Sequence, residues 1–183
     1  MEIMYSEKGI ILHQLKYELE LLKRFELLNY KVTFIRDDTN QKLDSNSDGD
    51  DVDATMFKQL VDSLRYLCNT RPAICYAVGT VNRFLSKPKW SHYQIAVRIL
   101  RHIKGTLNYG VLFPSGVETD SKLLSYSYSD WRGDRIDRRS TSEYLFKFLG
   151  SHISWCSKKQ PIVALLTYEL EYIAGVVTAC QVV

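Results

Sequence analysis

The sequence predicts an α+β chain in two parts, with helices first and mostly strands after. Three observations carry this. Apolar residues recur at helical spacing over residues 15–28 and again over 55–104. From residue 109 onward the pattern changes to short runs rich in Tyr, Phe, Leu and Ser, which suit strands. A single helical stretch closes the chain, and helices followed by strands in blocks is the α+β signature.

Residues 1–13 alternate weakly around Gly9 and predict a short hairpin ending in Ile10-Ile11-Leu12. The helix over 15–28 sets Leu15, Leu19, Leu21, Leu22, Phe25 and Leu28 against a polar side holding Glu18, Glu20, Lys23, Arg24 and Glu26. Residues 37–53 hold seven aspartates and almost nothing apolar, so they read as an acidic linker. Thr55 is a plausible N-cap for a helix over 56–68. Arg71-Pro72 breaks that helix, a second runs over 74–85, and Lys87-Pro88 stops it. A third covers 91–104, with Ile95, Ile99, Leu100 and Ile103 on one face and Gly105 as its C-terminal stop. Strands are predicted at 109–113, 123–128, 143–149 and 152–155, the last two joined at Gly150-Ser151, with a further short strand at 162–166. Residues 168–180 are helical. The expected divisions are therefore 1–36, 37–54, 55–106 and 107–183.

The net charge of +3 is unevenly placed. Residues 1–56 carry 7 Lys/Arg against 12 Asp/Glu, and residues 57–183 carry 17 against 9. A basic body suits a polyanionic partner, although charged surfaces are common without one. Two groups could contact phosphate: Arg83, Lys87, Lys89, Arg98, Arg101, His102 and Lys104, and Arg132, Arg135, Arg138, Arg139, Lys158 and Lys159. Trp90 and Trp131 could stack on bases; taken singly, each reads more simply as a core residue. Cys68, Cys75, Cys156 and Cys180 form no C-x-x-C pair, so they read as buried free thiols rather than a zinc or redox centre. His13, His92, His102 and His152 are scattered, without a catalytic or ligand-like arrangement. Asp44, Asn46, Asp48 and Gly49 match half of a calcium loop, but Thr55 stands where a bidentate glutamate is needed, so the acidic-linker reading wins. No signal peptide and no membrane-length apolar run is present, which predicts an intracellular protein.

Several stretches stand out in collinear order. They include Gln14-Leu15-Lys16-Tyr17 with Leu21-Leu22-Lys23-Arg24-Phe25, then Gln59-Leu60-Val61-Asp62-Ser63-Leu64-Arg65-Tyr66-Leu67 and Thr70-Arg71-Pro72. Asn82-Arg83-Phe84, Pro88, His92 and Arg98-Ile99-Leu100-Arg101-His102-Ile103-Lys104-Gly105-Thr106 follow. The densest block holds Ser129-Asp130-Trp131, Gly133-Asp134, Asp137-Arg138-Arg139-Ser140-Thr141-Ser142, Ile153-Ser154-Trp155, Ser157-Lys158-Lys159-Gln160-Pro161 and Glu169-Leu170-Glu171-Tyr172. Together these stretches resemble the copia-type LTR retrotransposon Pol polyprotein. The resemblance implies the end of reverse transcriptase, a helical connection segment, and the start of a ribonuclease H-like α/β half-domain, truncated at Val183. The polymerase's paired aspartates are expected upstream.

Ribonuclease H chemistry needs two magnesium ions held by clustered carboxylates. The family's first aspartate lies in a Tyr-Ser-Asp-Ser-Asp-Trp-like segment, which here reads Tyr126-Ser127-Tyr128-Ser129-Asp130-Trp131. Tyr128 replaces that aspartate, and a phenol of reference pKa about 10 stays neutral at pH 7. Asp130 is displaced by roughly 6.6 Å along the strand, too far for a site with roughly half-ångström tolerance. The resemblance marks Glu171 as the retained carboxylate, vestigial without partners; without the resemblance it would read as a solvated helix residue. The remaining ligands are expected beyond Val183. Asp62 and Glu143 for glycine, Ala73 for aspartate, and Leu166-Thr167-Tyr168 for a small-hydroxyl run depart from the family too.

The expected function is a transposon-derived remnant without catalysis and without a bound metal, binding nucleic acid or an RNA–DNA hybrid weakly and no membrane. One alternative is an active nuclease using Asp130 and Glu171 with carboxylates from another chain. Another is a domesticated protein-interaction module. The strand at 123–128 is expected to leave an open edge that promotes self-association and low solubility.

Overall fold

The computed structural model describes residues 1–33, 50–116, 122–131 and 137–182. Strands β1 (Glu2–Ser6) and β2 (Gly9–His13) lead into helix α1 (Leu15–Arg24). Helices α2 (Ala54–Leu67), α3 (Cys75–Val81) and α4 (Trp90–Gly105) follow. Strands β3 (Val111–Pro114), β4 (Leu124–Ser129), β5 (Thr141–Phe148) and β6 (Ser151–Lys159) come next, and helix α5 (Thr167–Ala179) is last. The α+β class is the one expected from the sequence. The strands form two three-stranded sheets, ordered β1-β2-β3 and β4-β5-β6. Two compact units result: Met1–Met4 with Leu12–Gly110, and Tyr5–Ile11 with Val111–Val183.

In the helical unit, α2 presents Phe57, Leu60, Val61, Leu64 and Leu67 to the core at intervals of three and four, all fully buried. Each such side chain contributes about 1.5–3 kcal/mol relative to exposure. Asp53, not Thr55, caps this helix: its carboxylate accepts from the Thr55 N–H at 2.8 Å. Capping takes a residue just outside the helix, and Thr55 already lies within its first turn. The linker expected to run to residue 53 has thus ended by residue 51, where Asp51 pairs with Lys89 through a backbone bridge and an ion pair of 2.9 Å. Helix α1 stops four residues before the expected end, because Glu26 adopts a left-handed φ of 56° and Leu27 N–H bonds back to Leu22. Beyond α3 the chain tightens into a 3-10 turn, Asn82–Phe84, rather than continuing as α-helix. Gly105 is the last residue of α4 instead of its stop; Thr106 follows as C-cap, and a Cβ at 105 would meet the Val32 side chain at 2.3 Å.

The polar side assigned to α1 needs one correction. Glu18 is fully buried, because Arg71 reaches it from the loop after α2. The guanidinium donates from Nε to Oε1 and from Nη2 to Oε2, both at 2.9 Å, and from Nη1 to Thr106 Oγ1 at 3.1 Å. Thr70 donates to Gln14 beside it at 2.7 Å. Burial holds the Glu18 carboxyl above its ordinary range while Arg71 pulls it back down.

In the second unit, β5 and β6 form an antiparallel hairpin whose turn is Leu149-Gly150, one residue earlier than expected. Both residues are left-handed, with φ of 49° and 78°, which matches the twist of a two-residue hairpin. β4 lies antiparallel to β5 with Leu124 opposite Lys147 and Ser129 opposite Ser142. Residues 162–166 form no strand. The Leu165 N–H is instead taken by the Glu169 carboxylate at 2.7 Å, which turns the chain into α5.

Candidate functional site

The residues singled out for catalysis sit on β4, just beyond it, and on α5. Side chains alternate across a strand, and directly paired residues share a face. One face of the sheet therefore holds Ser125, Ser127 and Ser129 with their partners Phe146, Tyr144 and Ser142. Helix α5 covers this face. Gln160 Nε2 donates to Ser142 Oγ at 2.8 Å and to the Leu170 carbonyl at 3.2 Å. Tyr144 Oη donates to Gln181 just past the helix, and Phe146 is buried. The serines of β4 are small enough to let α5 approach, with Leu170, Ala174 and Thr178 buried along its inner side.

Tyr128 points to the opposite face, shared with Leu124 and Tyr126, and is 59% exposed. Its direct cross-strand neighbour is Glu143. Glu171 is exposed on α5. Tyr128 and Glu171 thus lie on different sides of the sheet and do not converge. Asp130 pairs with Thr141 at the end of the ladder: its N–H donates to the Thr141 carbonyl at 3.1 Å, and its Oδ1 accepts from the Thr141 N–H. That carboxylate closes the strand end. Among the described residues, no three His, Cys, Asp or Glu side chains stand close enough to hold a metal ion. These residues do not fit a pair of magnesium ions.

The basic residues fall into two sets, one in each unit. Arg101 Nε donates to the Lys31 carbonyl, and Lys104 Nζ donates to the Leu28 and Tyr30 carbonyls. Among the described residues, no carboxylate is paired with either charge. Lys89 is paired with Asp51, and Lys87 is exposed. Arg83 and Arg98 are half-buried, as is His102, where burial first and the neighbouring Arg71 second lower the imidazole's affinity for a proton. In the second set, Lys159 is paired with Asp137 at 2.6 Å, and Arg139 lies 3.8 Å from the same carboxylate. Arg138 and Lys158 are exposed, and Arg138 has a left-handed φ of 56°. Arg132 and Arg135 lie outside the described residues, as do residues 44–49 of the calcium-like motif.

Trp90 and Trp131 are both exposed, which corrects their reading as core residues. Trp90 stacks obliquely on Tyr93, with ring centres 5.3 Å apart. The thiols expected to be buried are intermediate at Cys68, Cys75 and Cys156 and exposed at Cys180, and none of the four is in a disulfide. His92 is buried, stacked on Phe84 at 3.9 Å, and accepts from the Lys89 N–H through Nδ1, so it caps α4. Lys147 was not foreseen as part of any basic group. Its ammonium lies 5.8 Å from the centre of the Tyr126 ring, on the face that carries Tyr128. No periodicity in the sequence signals this, because the pairing of β4 with β5 sets it.

The chain is 39% identical over 165 residues, 90% of its length, to the retrovirus-related Pol polyprotein from transposon RE1 of Arabidopsis thaliana. It is 34% identical over 184 residues to an uncharacterized mitochondrial protein of the same plant, covering 98% of this chain and 74% of that protein. Homologues of this chain are copia-type retrotransposon Pol polyproteins. The chain spans only 11% of the RE1 polyprotein. The chain is also similar to the secreted RxLR effector protein 161 of Plasmopara viticola, 47% identical over 119 residues, which are 64% of this chain and 82% of the effector. No family model and no solved structure matches the chain. Among the described residues, no helix is long and apolar enough to cross a membrane.

Proposed function

We propose that this Pol-derived chain represents the segment from the end of reverse transcriptase into a ribonuclease H-like half-domain, and that it binds nucleic acid weakly without cleaving it. The observation that carries the loss of cleavage is Tyr128. A neutral phenol stands in the family's aspartate position and is turned away from the helix that bears Glu171. The engagement of Asp130 by the Thr141 N–H supports the same reading, since using it as a metal ligand would undo the end of β4. We read the protein as acting inside the cell, without a resident metal.

Weak binding is supported by Lys87, Arg101, Lys104, Arg138 and Lys158, which are not neutralised by the carboxylate pairings that hold Lys89 and Lys159. Three to five phosphate contacts would give a log–log salt slope of about −3 to −5 on duplexes. The test is a magnesium-dependent assay on a labelled RNA–DNA hybrid with the 183-residue chain, alongside binding titrations at two salt concentrations. The hybrid stays intact and binding weakens with salt. Cleavage that is abolished by Glu171→Gln would refute the inactive reading, and a flat salt response would refute phosphate contact.

A further inference from the structure

Strand β4 is a margin of its sheet, paired to β5 on one side only among the described residues. The hydrogen bond from Asp130 N–H to the Thr141 carbonyl fixes which backbone groups face β5. In an antiparallel ladder, residues of one parity exchange both backbone bonds with the neighbour, and residues of the other parity point both groups outward. Even-numbered Tyr126 and Tyr128 therefore bond to β5. Ser125, Ser127 and Ser129 direct their N–H and C=O groups to the open side. Strand edges of this kind are usually blunted by Lys, Pro or a bulge. The β4 run Leu-Ser-Tyr-Ser-Tyr-Ser has no charge and no proline, and its irregularity-free pairing with β5 leaves the edge straight.

Residues 125–129 also read the same in both directions. An antiparallel copy centred on Ser127 places Ser125 opposite Ser129, Ser127 opposite Ser127, and Tyr126 opposite Tyr128. Ser125 and Ser127 are exposed, so the central Ser127 pair can form both of its backbone bonds; Ser129 is 6% exposed, so the two outer pairs close only once its groups are uncovered. Each Tyr126–Tyr128 pair then occupies the closer, non-hydrogen-bonded position, at about 4.5 Å between Cα atoms. At 52% and 59% exposure, both rings are available for it. An in-register parallel pair would set Lys122 against Lys122 and Asp130 against Asp130, which disfavours the parallel sense. In the antiparallel pair, exposed Leu123 and Trp131 come together at the two ends.

We infer that β4 is a self-pairing edge, through which two copies of this chain join into a continuous sheet ordered β6-β5-β4-β4-β5-β6. The four exposed side chains supply about 400 Å² per copy. With the backbone added, the total is near the roughly 1,000 Å² at which a specific interface begins.

Sedimentation equilibrium of the full chain from about 1 to 100 μM tests it. The expected result is a monomer–dimer equilibrium, reaching twice 21.2 kDa at the upper end. Ser127→Lys sets two ammonium groups opposite each other at the two-fold axis and weakens the dimer by about tenfold or more. Ser127→Ala keeps the backbone groups and keeps the dimer. Concentration-dependent hydrogen-exchange protection confined to residues 124–130 of the unmodified chain gives the same answer should the lysine variant fail to fold. A monomer throughout the range, a dimer indifferent to Ser127→Lys, or protection at β1 instead of β4 overturns the inference.

Discussion

The buried Glu18–Arg71 pair gives the sharpest test of how the helical unit is held together. Arg71→Met removes the cation but keeps an unbranched chain of similar reach, so the carboxylate of Glu18 is left at 0% exposure without its two 2.9 Å donors. Hydrogen bonds to charged groups are worth about 1.5–3 kcal/mol each, and breaking a buried pair costs about 3–5 kcal/mol because one charge remains uncompensated. That is a large part of the total stability of about 5–15 kcal/mol for a domain. Replacing both residues, as in Glu18→Leu with Arg71→Met, removes both charges and is expected to fall within about 1 kcal/mol of the unmodified chain, or above it. Urea unfolding followed at 222 nm reports mainly on this helix-rich unit.

The pH dependence separates this account from simple loss of packing. Burial already raises the Glu18 carboxyl, and without Arg71 nothing opposes that shift. A carboxyl raised in the folded state binds its proton more tightly there than in the unfolded chain. The stability it contributes is therefore fully present below the ordinary value of 4.5 and lost as pH rises through the folded pKa. The Arg71→Met penalty should accordingly shrink as pH falls from 7 toward 4.5, and the double variant should show no such change. A penalty under about 1 kcal/mol, or one independent of pH, would refute the reasoning.

Three further changes should act locally. Asp53→Ala removes the carboxylate that accepts from Thr55 N–H and should cost about 1 kcal/mol in the same urea titration. Glu26→Gly relieves a left-handed backbone at φ 56° and should stabilise by about 0.5–1 kcal/mol, read as a higher urea midpoint with an unchanged slope. Gln160→Ala removes the donor shared by Ser142 and the Leu170 carbonyl, and should cost about 1–2 kcal/mol, seen as earlier loss of tryptophan fluorescence change in the sheet unit.

The elements were legible wherever one side chain period dominated. Helix α2 could be read from the recurrence at residues 57, 60, 61, 64 and 67, and the β5–β6 hairpin from a glycine between two strand-like runs. Long-range pairing was not legible. Glu18 falls on the polar side of its helix by spacing alone, and only Arg71, 53 positions later, makes its burial affordable. The candidate site divides the same way. Tyr128, at the position where the resemblance expects an aspartate, can be read from the sequence. The face to which Tyr128 turns depends on the register of β4 against β5, and eleven residues separate those strands rather than a tight turn that would fix it. Residues 162–166 misled because apolar runs of that length satisfy strand statistics whether or not a neighbouring strand exists.

Tyr128 ties the two proposals together through one physical change. A carboxylate at that position would sit beside Glu143, its direct cross-strand neighbour, and two like charges there would repel unless a cation lay between them. It would also face the partner's Tyr126 across an antiparallel copy, placing a desolvated charge against a ring and working against self-pairing. The phenol removes both costs. On the proposed reading it takes the place of a magnesium ligand, and in the same step it leaves an uncharged, symmetric strand edge. Tyr128→Asp is therefore expected to shift the full chain toward monomer without restoring cleavage of an RNA–DNA hybrid, because Asp130 stays committed to Thr141 and Glu171 stays on the far side of the sheet. Restored cleavage in that variant would mean that α5 and β4 rearrange around metal, and would remove the geometric basis for the inactive reading.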